Sequence, residues 1–408
     1  MTYAYLEDLR SNWGGKVCLF GAGYIGKTWG YDLVCAAGFK VDFFCDNNIA
    51  SGTKVRGDIE VVDIQYLISE RDRTLVFLTV SHQIQKVITE QLRKNGIFRV
   101  INIDRVSLAE ILDSIDISGE AVKQRYHAVY NDIEFLEKKF EYKTGYKLNI
   151  GNPKTFNEKL QWLKVYNHKS EYTQLVDKYL VKQFVEERIG GKYIIPTLGV
   201  WRTFDEIDFS ELPEQFVLKC THDSGSIVIV DDVNRFDKKE AEKRLTEALK
   251  INYFWMGREW PYKNVERRII AEKYIAEARE MIDYKFLCFN GKVRSIFTCS
   301  DRFSGDGLKV TFFDKEWKRL PFERHYPASK RKIVKPAHFH LMIELAEKLS
   351  AGIPFVRIDL YDIEEKIYFG EMTFFPGGGM EEFSPEKWDR TMGDWIVLPE
   401  VNDLKEEL

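Results

Sequence analysis

The chain has 408 residues, 44% of them hydrophobic and 30% charged, and 60 basic against 64 acidic side chains leave a formal net charge of −4. That length predicts two or three domains, and the composition excludes a largely disordered chain and a chain-wide basic field for nucleic acid. The longest apolar runs, such as Thr74–Val80 and Ile353–Ile358, are far too short to span a bilayer.

The N-terminal stretch alternates β-rich runs with helical patterns. Lys16–Phe20, Lys40–Cys45, Thr74–Thr79 and Arg99–Ile103 read as strands, with helices Gly26–Ala37 and His82–Asn95 between them. Strand–helix repetition predicts a small, doubly wound parallel sheet of the α/β class. From Ser107 to Lys143 the pattern turns helical and charged, which makes a connector with a boundary near residue 120. A second unit begins near Asn152. Thr155 reads as a helix N-cap, and Glu158 three residues later completes a capping box ahead of Leu160, Trp162 and Leu163. Helices near 173–189, 237–250 and 338–350 then mix with strands near 215–220, 226–230, 268–275, 283–289, 292–299, 353–362 and 367–375. Short links such as Asn290-Gly291-Lys292 predict antiparallel hairpins, so this unit is α+β.

Two signals point to chemistry. The first is Gly21-x-Gly23-x-x-Gly26, which follows an apolar strand and opens a helix, with Asp46 ending the next strand. The first glycine turns the chain, the second lets backbone approach a diphosphate, and the third lets helix pack on strand; the acid can bond ribose hydroxyls. A glycine-rich packing turn is the alternative. No Tyr-x-x-x-Lys stands where hydride transfer needs it, which weighs against a dehydrogenase.

The second signal lies in the C-terminal unit. Asp177-Lys178 opens a helix, and Phe216-Val217-Leu218-Lys219 is an apolar strand ending in a lysine. The loop Thr221-His222-Asp223-Ser224-Gly225-Ser226 follows, able to drape backbone N–H groups over phosphates, although no P-loop motif occurs. Val356–Leu360 and Phe369–Thr373 both alternate with period two. If Glu364-Glu365-Lys366 makes the turn and Ile363 pairs with Ile367, Asp359 faces Glu371 and Arg357 faces Thr373. Like charges directly opposed across a ladder are destabilising, and bound Mg²⁺ is a reason to place them there. Neutralisation by Arg357 alone, or a register one residue different, are the alternatives.

Residues 15–104 resemble the small nucleotide-sugar-binding domain of bacterial amino-sugar acetyltransferases, through Val17–Gly23, Phe43-Phe44-Cys45-Asp46 and Thr79-Val80-Ser81-His82. The resemblance implies a Rossmann-like domain that takes a UDP-sugar more than NAD. From Asn152 to Pro399 the chain resembles the ATP-grasp superfamily, in its TupA-like (teichuronopeptide-biosynthesis) branch. The matching segments include Thr155–Trp162, Val176–Tyr179, Phe216–Lys219, Arg268–Ile275, Asp283–Phe286, Phe289–Lys292, Ser300–Phe303, Arg357–Tyr361 and Gly370–Gly379.

That resemblance implies an ATP-grasp fold over 152–408, behind a Rossmann-like domain over 1–105 and a helical connector over 106–151. It implies ATP and Mg²⁺ as cofactors. Lys178 and Lys219 resemble the phosphate-contacting lysines, with Thr221, Ser224, Gly225 and Ser226 in the loop over the phosphates. Glu272, Lys273 and Ile275 resemble the adenine hinge, and Asp283 or Glu280 the ribose contact. Asp359 and Glu371 resemble metal ligands; the third ligand position, commonly asparagine, is Thr373. Arg302 and Arg357 would hold the acceptor carboxylate, and Pro376–Gly379 would line the acceptor site. The family chemistry implies an ATP-dependent amide-forming ligase of bacterial capsular polysaccharide biosynthesis. It would act through an acyl phosphate on a sugar uronic acid, a UDP-uronate being one form, and a small amine. A sugar kinase, a non-catalytic nucleotide-sugar-binding scaffold and an NAD-dependent oxidoreductase are the other readings. Six cysteines without C-x-x-C spacing, and an N-terminus without signal-peptide layout, fit a cytoplasmic protein with small-molecule partners, no nucleic acid and no membrane span.

Overall fold

β1 (Lys16–Phe20) is buried along most of its length and anchors a six-stranded sheet in the N-terminal unit. With β2 (Phe43–Cys45), β3 (Lys54–Arg56), β4 (Ile59–Val62), β5 (Thr74–Leu78) and β6 (Val100–Asn102) it gives the order β3-β4-β2-β1-β5-β6. β1 pairs in parallel with β2 and β5, β5 with β6 and β2 with β4, as strand–helix alternation predicts. The antiparallel edge hairpin β3–β4 escapes the sequence pattern because its strands are short and half exposed. The helix expected over Gly26–Ala37 is two helices, Tyr24–Lys27 and Trp29–Ala36. Thr28 breaks it, its hydroxyl donating to the Tyr24 carbonyl at 2.7 Å. Helices Arg105–Ser114, Glu120–Arg125 and Asp132–Thr144 fill the stretch read as helical.

In this computed structural model the chain divides into two units, residues 1–142 with 250–256, and residues 143–249 with 257–408. The structure describes residues 1–115, 120–275, 283–300, 307–364 and 366–400.

The second unit opens with helix Phe156–Tyr166, whose capping box forms as predicted: the Thr155 side chain accepts from the Glu158 N–H, and Glu158 reaches back to Thr155. Two antiparallel sheets follow. The smaller holds β7 (Thr197–Trp201), β8 (Phe216–Cys220), β9 (Val228–Val230) and β10 (Ile269–Lys273) in the order β7-β10-β8-β9, and its core includes Ala241 and Leu245 of helix Lys238–Leu249. The larger holds β11 (Asp283–Phe289), β12 (Lys292–Ser300) and β13 (Lys309–Phe313). A two-residue strand β14 (Glu323–Arg324) precedes its last two members, β15 (Phe355–Ile363) and β16 (Lys366–Thr373). The order is β13-β12-β11-β15-β16, and β14 pairs instead with β17 (Phe383–Ser384). One face of the large sheet buries Phe286, Ile358 and Leu360 in a core shared with Phe156, Leu160 and Phe339. Asn290 and Gly291 take the left-handed φ of 49° and 73° that a tight β11–β12 turn needs. β7 and β13 are further strands that the sequence pattern missed.

Candidate functional site

The opposite face of the large sheet carries charge. Asp359 sits directly across from Glu371 and Arg357 from Thr373, the pairing expected from period two. The route to that pairing differs from the expected one. Near the turn Ile363 pairs with Lys366, one residue away from the expected Ile367, and a bulge between Asp359 and Leu360 restores the register by leaving Gly370 unpaired. Any Cβ at Gly370 would lie 3.0 Å from the Tyr361 ring, a contact tight enough that the ring would have to shift.

The row continues onto β11, where Lys285 stands opposite Asp359 and donates to it. Arg357 forks onto Asp359 at 2.7 and 2.8 Å and reaches Glu371 at 2.6 Å. Burial disfavours charge on Glu371, but Arg357, Lys285 and Lys178 outweigh it and hold the carboxyl at about 2. The same two carboxylates overcome the burial of Arg357 and raise its pKa. Asp359 is buried, whereas the Glu371 side chain is only partly buried, at 43% exposed.

The smaller sheet, a turn beside it and helix Val181–Ile189 supply three more lysines. Lys219, one residue before the end of β8, meets Glu272 of β10 at 2.6 Å; Lys182 meets the other oxygen of Glu272 at 2.7 Å. Lys178 precedes helix Val181–Ile189 and donates to the Asp223 carbonyl in the loop 221–226. Burial depresses Lys178 and Lys182, and although burial opposes it, Lys219 and Lys182 draw the Glu272 carboxyl down. These lysines, Glu272, Ile194, Ile195, Tyr361, Phe369 and Gly370 line one cavity of about 50 Å³. That is smaller than a nucleotide site of a few hundred Å³. Lys182, Glu272 and Lys219 form an ion-paired cluster within its lining.

The loop 221–226, which accepts from Lys178, is built partly by its own side chains. Ser226 accepts from the Cys220 N–H at 2.9 Å and donates to Asp223 at 2.7 Å, and the Thr221 hydroxyl donates to the Glu266 carbonyl at 3.3 Å. Both hydroxyls thus hold the loop in shape. Ser224 and Gly225 are exposed at its tip, and Gly225 has a φ of 109°. Lys273 spends its backbone N–H on the Pro196 carbonyl, while Ile275 follows the end of β10 and Asp283 starts β11, 3.7 Å from Lys285. Arg302 and Glu280 lie outside the described residues.

In the N-terminal unit the three motif glycines separate by role. A Cβ on Gly26 would lie 1.9 Å from the Gly21 carbonyl, and one on Gly21, at φ 108°, 2.7 Å from the Thr79 carbonyl. Nothing lies within 4 Å of a Cβ on Gly23. Packing therefore requires the first and third glycines, and the second borders open space. Asp46 accepts N–H bonds from Ala22, Asn48 and Ile49, so its carboxylate closes the glycine turn.

Sequence reasoning gave no role to Lys285 and Lys182. Lys182 stands one helical turn after Lys178, a spacing that could have flagged it. Lys285 is one of two charges in an otherwise apolar strand, but its partnership with Asp359 depends on β11 pairing with β15, far apart in sequence.

The donor set suits magnesium: two carboxylates on facing strands, a Thr373 hydroxyl beside Glu371 at 3.2 Å, and lysines that would take phosphates. Among the described residues no three His, Cys, Asp or Glu side chains gather as a self-sufficient metal cage, so phosphate oxygens and water would complete the shell.

A charged row on one antiparallel sheet, with lysines on and beside a second, supplies the kinds of group that phosphoryl transfer from a nucleotide needs. The TupA-like ATPgrasp family matches residues 158–397, more than half of the chain, and the chain belongs to that family. It is an ATP-dependent ligase with ATP and Mg²⁺ as its cofactors. No curated protein matches it. Among solved structures it is similar to D-alanine–D-alanine ligase from Bacillus anthracis (14% identity, 97% of this chain and 100% of the other, TM-score 0.33). It is also similar to the Helicobacter pylori D-alanine–D-alanine ligase (14%, 62% and 68%, TM-score 0.31) and an L-amino acid ligase from Bacillus licheniformis (12%, 90% and 69%, TM-score 0.32). No helix among the described residues is long and apolar enough to cross a membrane.

Proposed function

We propose that the chain activates the carboxylate of a sugar uronic acid, a UDP-uronate being one form, and joins it to a small amine in bacterial surface-polysaccharide (capsular) biosynthesis. The observation that carries this reading is the row Lys285, Asp359, Glu371 with Arg357 forked over both acids, beside Lys178 and Lys219. Such a row pairs metal-ligating oxygens with cations able to hold an acceptor carboxylate.

In this reading Lys178 and Lys219 exchange their protein acceptors for the phosphates of ATP, under the tip Ser224-Gly225 of the loop Thr221–Ser226. Lys273 and Ile275 present backbone groups to adenine, Glu272 orders the lysines beside it, and Asp283 bonds the ribose. Asp359 and Glu371 would hold Mg²⁺, which would neutralise charge on the phosphates and orient them. Arg357, with Lys285, steers the acceptor carboxylate by bidentate bonding, a role Arg302 shares. The carboxylate oxygen attacks the γ-phosphorus as the bond to ADP breaks. The amine then attacks the acyl carbon, phosphate leaves with the bonding pair, and the amine loses a proton. Closure over the site excludes the water that would hydrolyse the acyl phosphate. Gly21, Gly23, Gly26 and Asp46 form the turn that would receive the nucleotide part of a UDP-sugar, with Gly23 as the point of closest approach.

The test is ATP consumption with Mg²⁺ over a panel of UDP-uronic acids and small amines, with mass spectrometry of the products. An amide formed with ADP and phosphate, and lost in Glu371→Gln, supports the ligase. A stable phosphomonoester with no free phosphate would replace it with a kinase, and no turnover across the panel would rule out uronates as acceptors.

A further inference from the structure

Lys178 is held by a structure that its own segment does not supply. Asp177, with a fully buried side chain, accepts through Oδ1 from the N–H groups of Tyr179 and Leu180 at 2.8 and 3.1 Å, shaping the turn on which Lys178 sits. Its Oδ2 takes the Arg268 guanidinium at 2.9 Å. Arg268 lies at the start of β10 in the smaller sheet, and its guanidinium also stacks on the Tyr179 ring, 5.4 Å from the centroid. Both sequence neighbours of Lys178 are therefore gripped by one arginine. The backbone repeats the link: Lys178 N–H donates to the Thr221 carbonyl at 3.0 Å, and Thr221 N–H donates to the Arg268 carbonyl at 2.9 Å.

We propose that Asp177 and Arg268 are a positioning pair that fastens Lys178 to the smaller sheet, so that Lys178, Lys219 and the loop 221–226 form one preassembled phosphate cradle. A buried carboxylate and guanidinium must outweigh two desolvation costs, and an apolar contact would hold a helix turn with less. The charged hydrogen bond, with the guanidinium also lying over Tyr179, gives what an apolar contact lacks, a fixed direction for the turn that carries the lysine. Neither residue reaches the cavity lining, so both act through Lys178. The proposal rests on Lys178 being a phosphate lysine, and its test separates the two.

Calorimetric binding of ATP with Mg²⁺, and of adenosine alone, is measured on the full chain and on Asp177→Asn, Arg268→Met, Lys178→Met and the double variant Asp177→Asn with Lys178→Met. The expected result is an ATP affinity about tenfold lower in each single variant, with adenosine affinity unchanged and no added loss in the double variant. Equal losses for ATP and adenosine would reduce the pair to general stability and overturn the proposal. So would normal ATP binding in Asp177→Asn alongside weakened binding in Lys178→Met. Unaltered ATP binding in Lys178→Met would remove both the phosphate role of Lys178 and the proposal built on it. Should Asp177→Asn fail to fold, Arg268→Lys, which keeps the charge and loses the planar stack, carries the same comparison.

Discussion

Lys164 is 2% exposed on helix Phe156–Tyr166 and donates to Gln161 at 3.0 Å and to the Gly378 carbonyl at 2.8 Å. Burial lowers its pKa to about 8, with Glu259 the opposing influence. The folded chain therefore releases this proton before the unfolded chain does. Below about pH 8 both states hold it and the buried charge costs its full amount; as pH rises from 8 towards 10.5 that cost is relieved, by about 3 kcal/mol in all. Thermal unfolding of the wild type and Lys164→Met between pH 7 and about 10 checks this: the wild type gains stability relative to the variant across that window. Parallel curves would contradict it. At the same scale, Lys285→Met leaves Asp359 with Arg357 alone. ADP release in that variant is expected to fall at least about 100-fold at saturating ATP, since the lost charge faces the reacting groups. The metal-ligand candidates were legible because period two exposes facing acids within one hairpin. Lys285 was not, because its partner arrives through a pairing between distant strands.

At the scale of elements, the β15–β16 hairpin shows how a correct facing pair can rest on an incorrect turn. The expected register places Asp359 opposite Glu371 with no bulge, while the chain reaches the same pairing through a bulge at Gly370. Bulges leave no trace in alternation on either side of a single glycine. The consequence is testable: Gly370→Val drives a side chain into Tyr361 and is expected to cost about 1–3 kcal/mol. In a Tyr361→Ala background the same substitution costs less, and chemical denaturation of the four proteins of this cycle measures the difference. The start of helix Phe156–Tyr166 was legible to the residue because Thr155 and Glu158 announce it through the backbone donors they satisfy. Thr155→Ala is expected to lose about 0.5–2 kcal/mol in the same assay. The long helix expected near 173–189 instead breaks at Asp177, whose side chain competes for backbone N–H groups and starts a new turn. That break is what presents Lys178.

For the whole molecule, strand–helix alternation in the N-terminal unit and hairpin links in the second separated a parallel sheet from antiparallel ones. What escaped were the short, half-exposed β3–β4 edge, β7, where Gly199 interrupts the apolar pattern, and the buried strand β13. The site proposed for the nucleotide combines two sheets of the second unit, and it stands out as charge placed where a core would be cheaper. The glycine turn of the N-terminal unit is a separate structure with its own packing logic. Gly21 and Gly26 are fixed by their neighbours, and Gly23 stands free of them.

The central claim is that a carboxylate is activated by phosphorylation before an amine replaces the phosphate. Its most direct test is turnover of a UDP-uronic acid carrying ¹⁸O in both carboxylate oxygens, with the released phosphate and the product analysed by mass spectrometry. One labelled oxygen in the phosphate and one left in the amide is the predicted result. Unlabelled phosphate, or label retained in a phosphorylated sugar, would contradict the acyl-phosphate account.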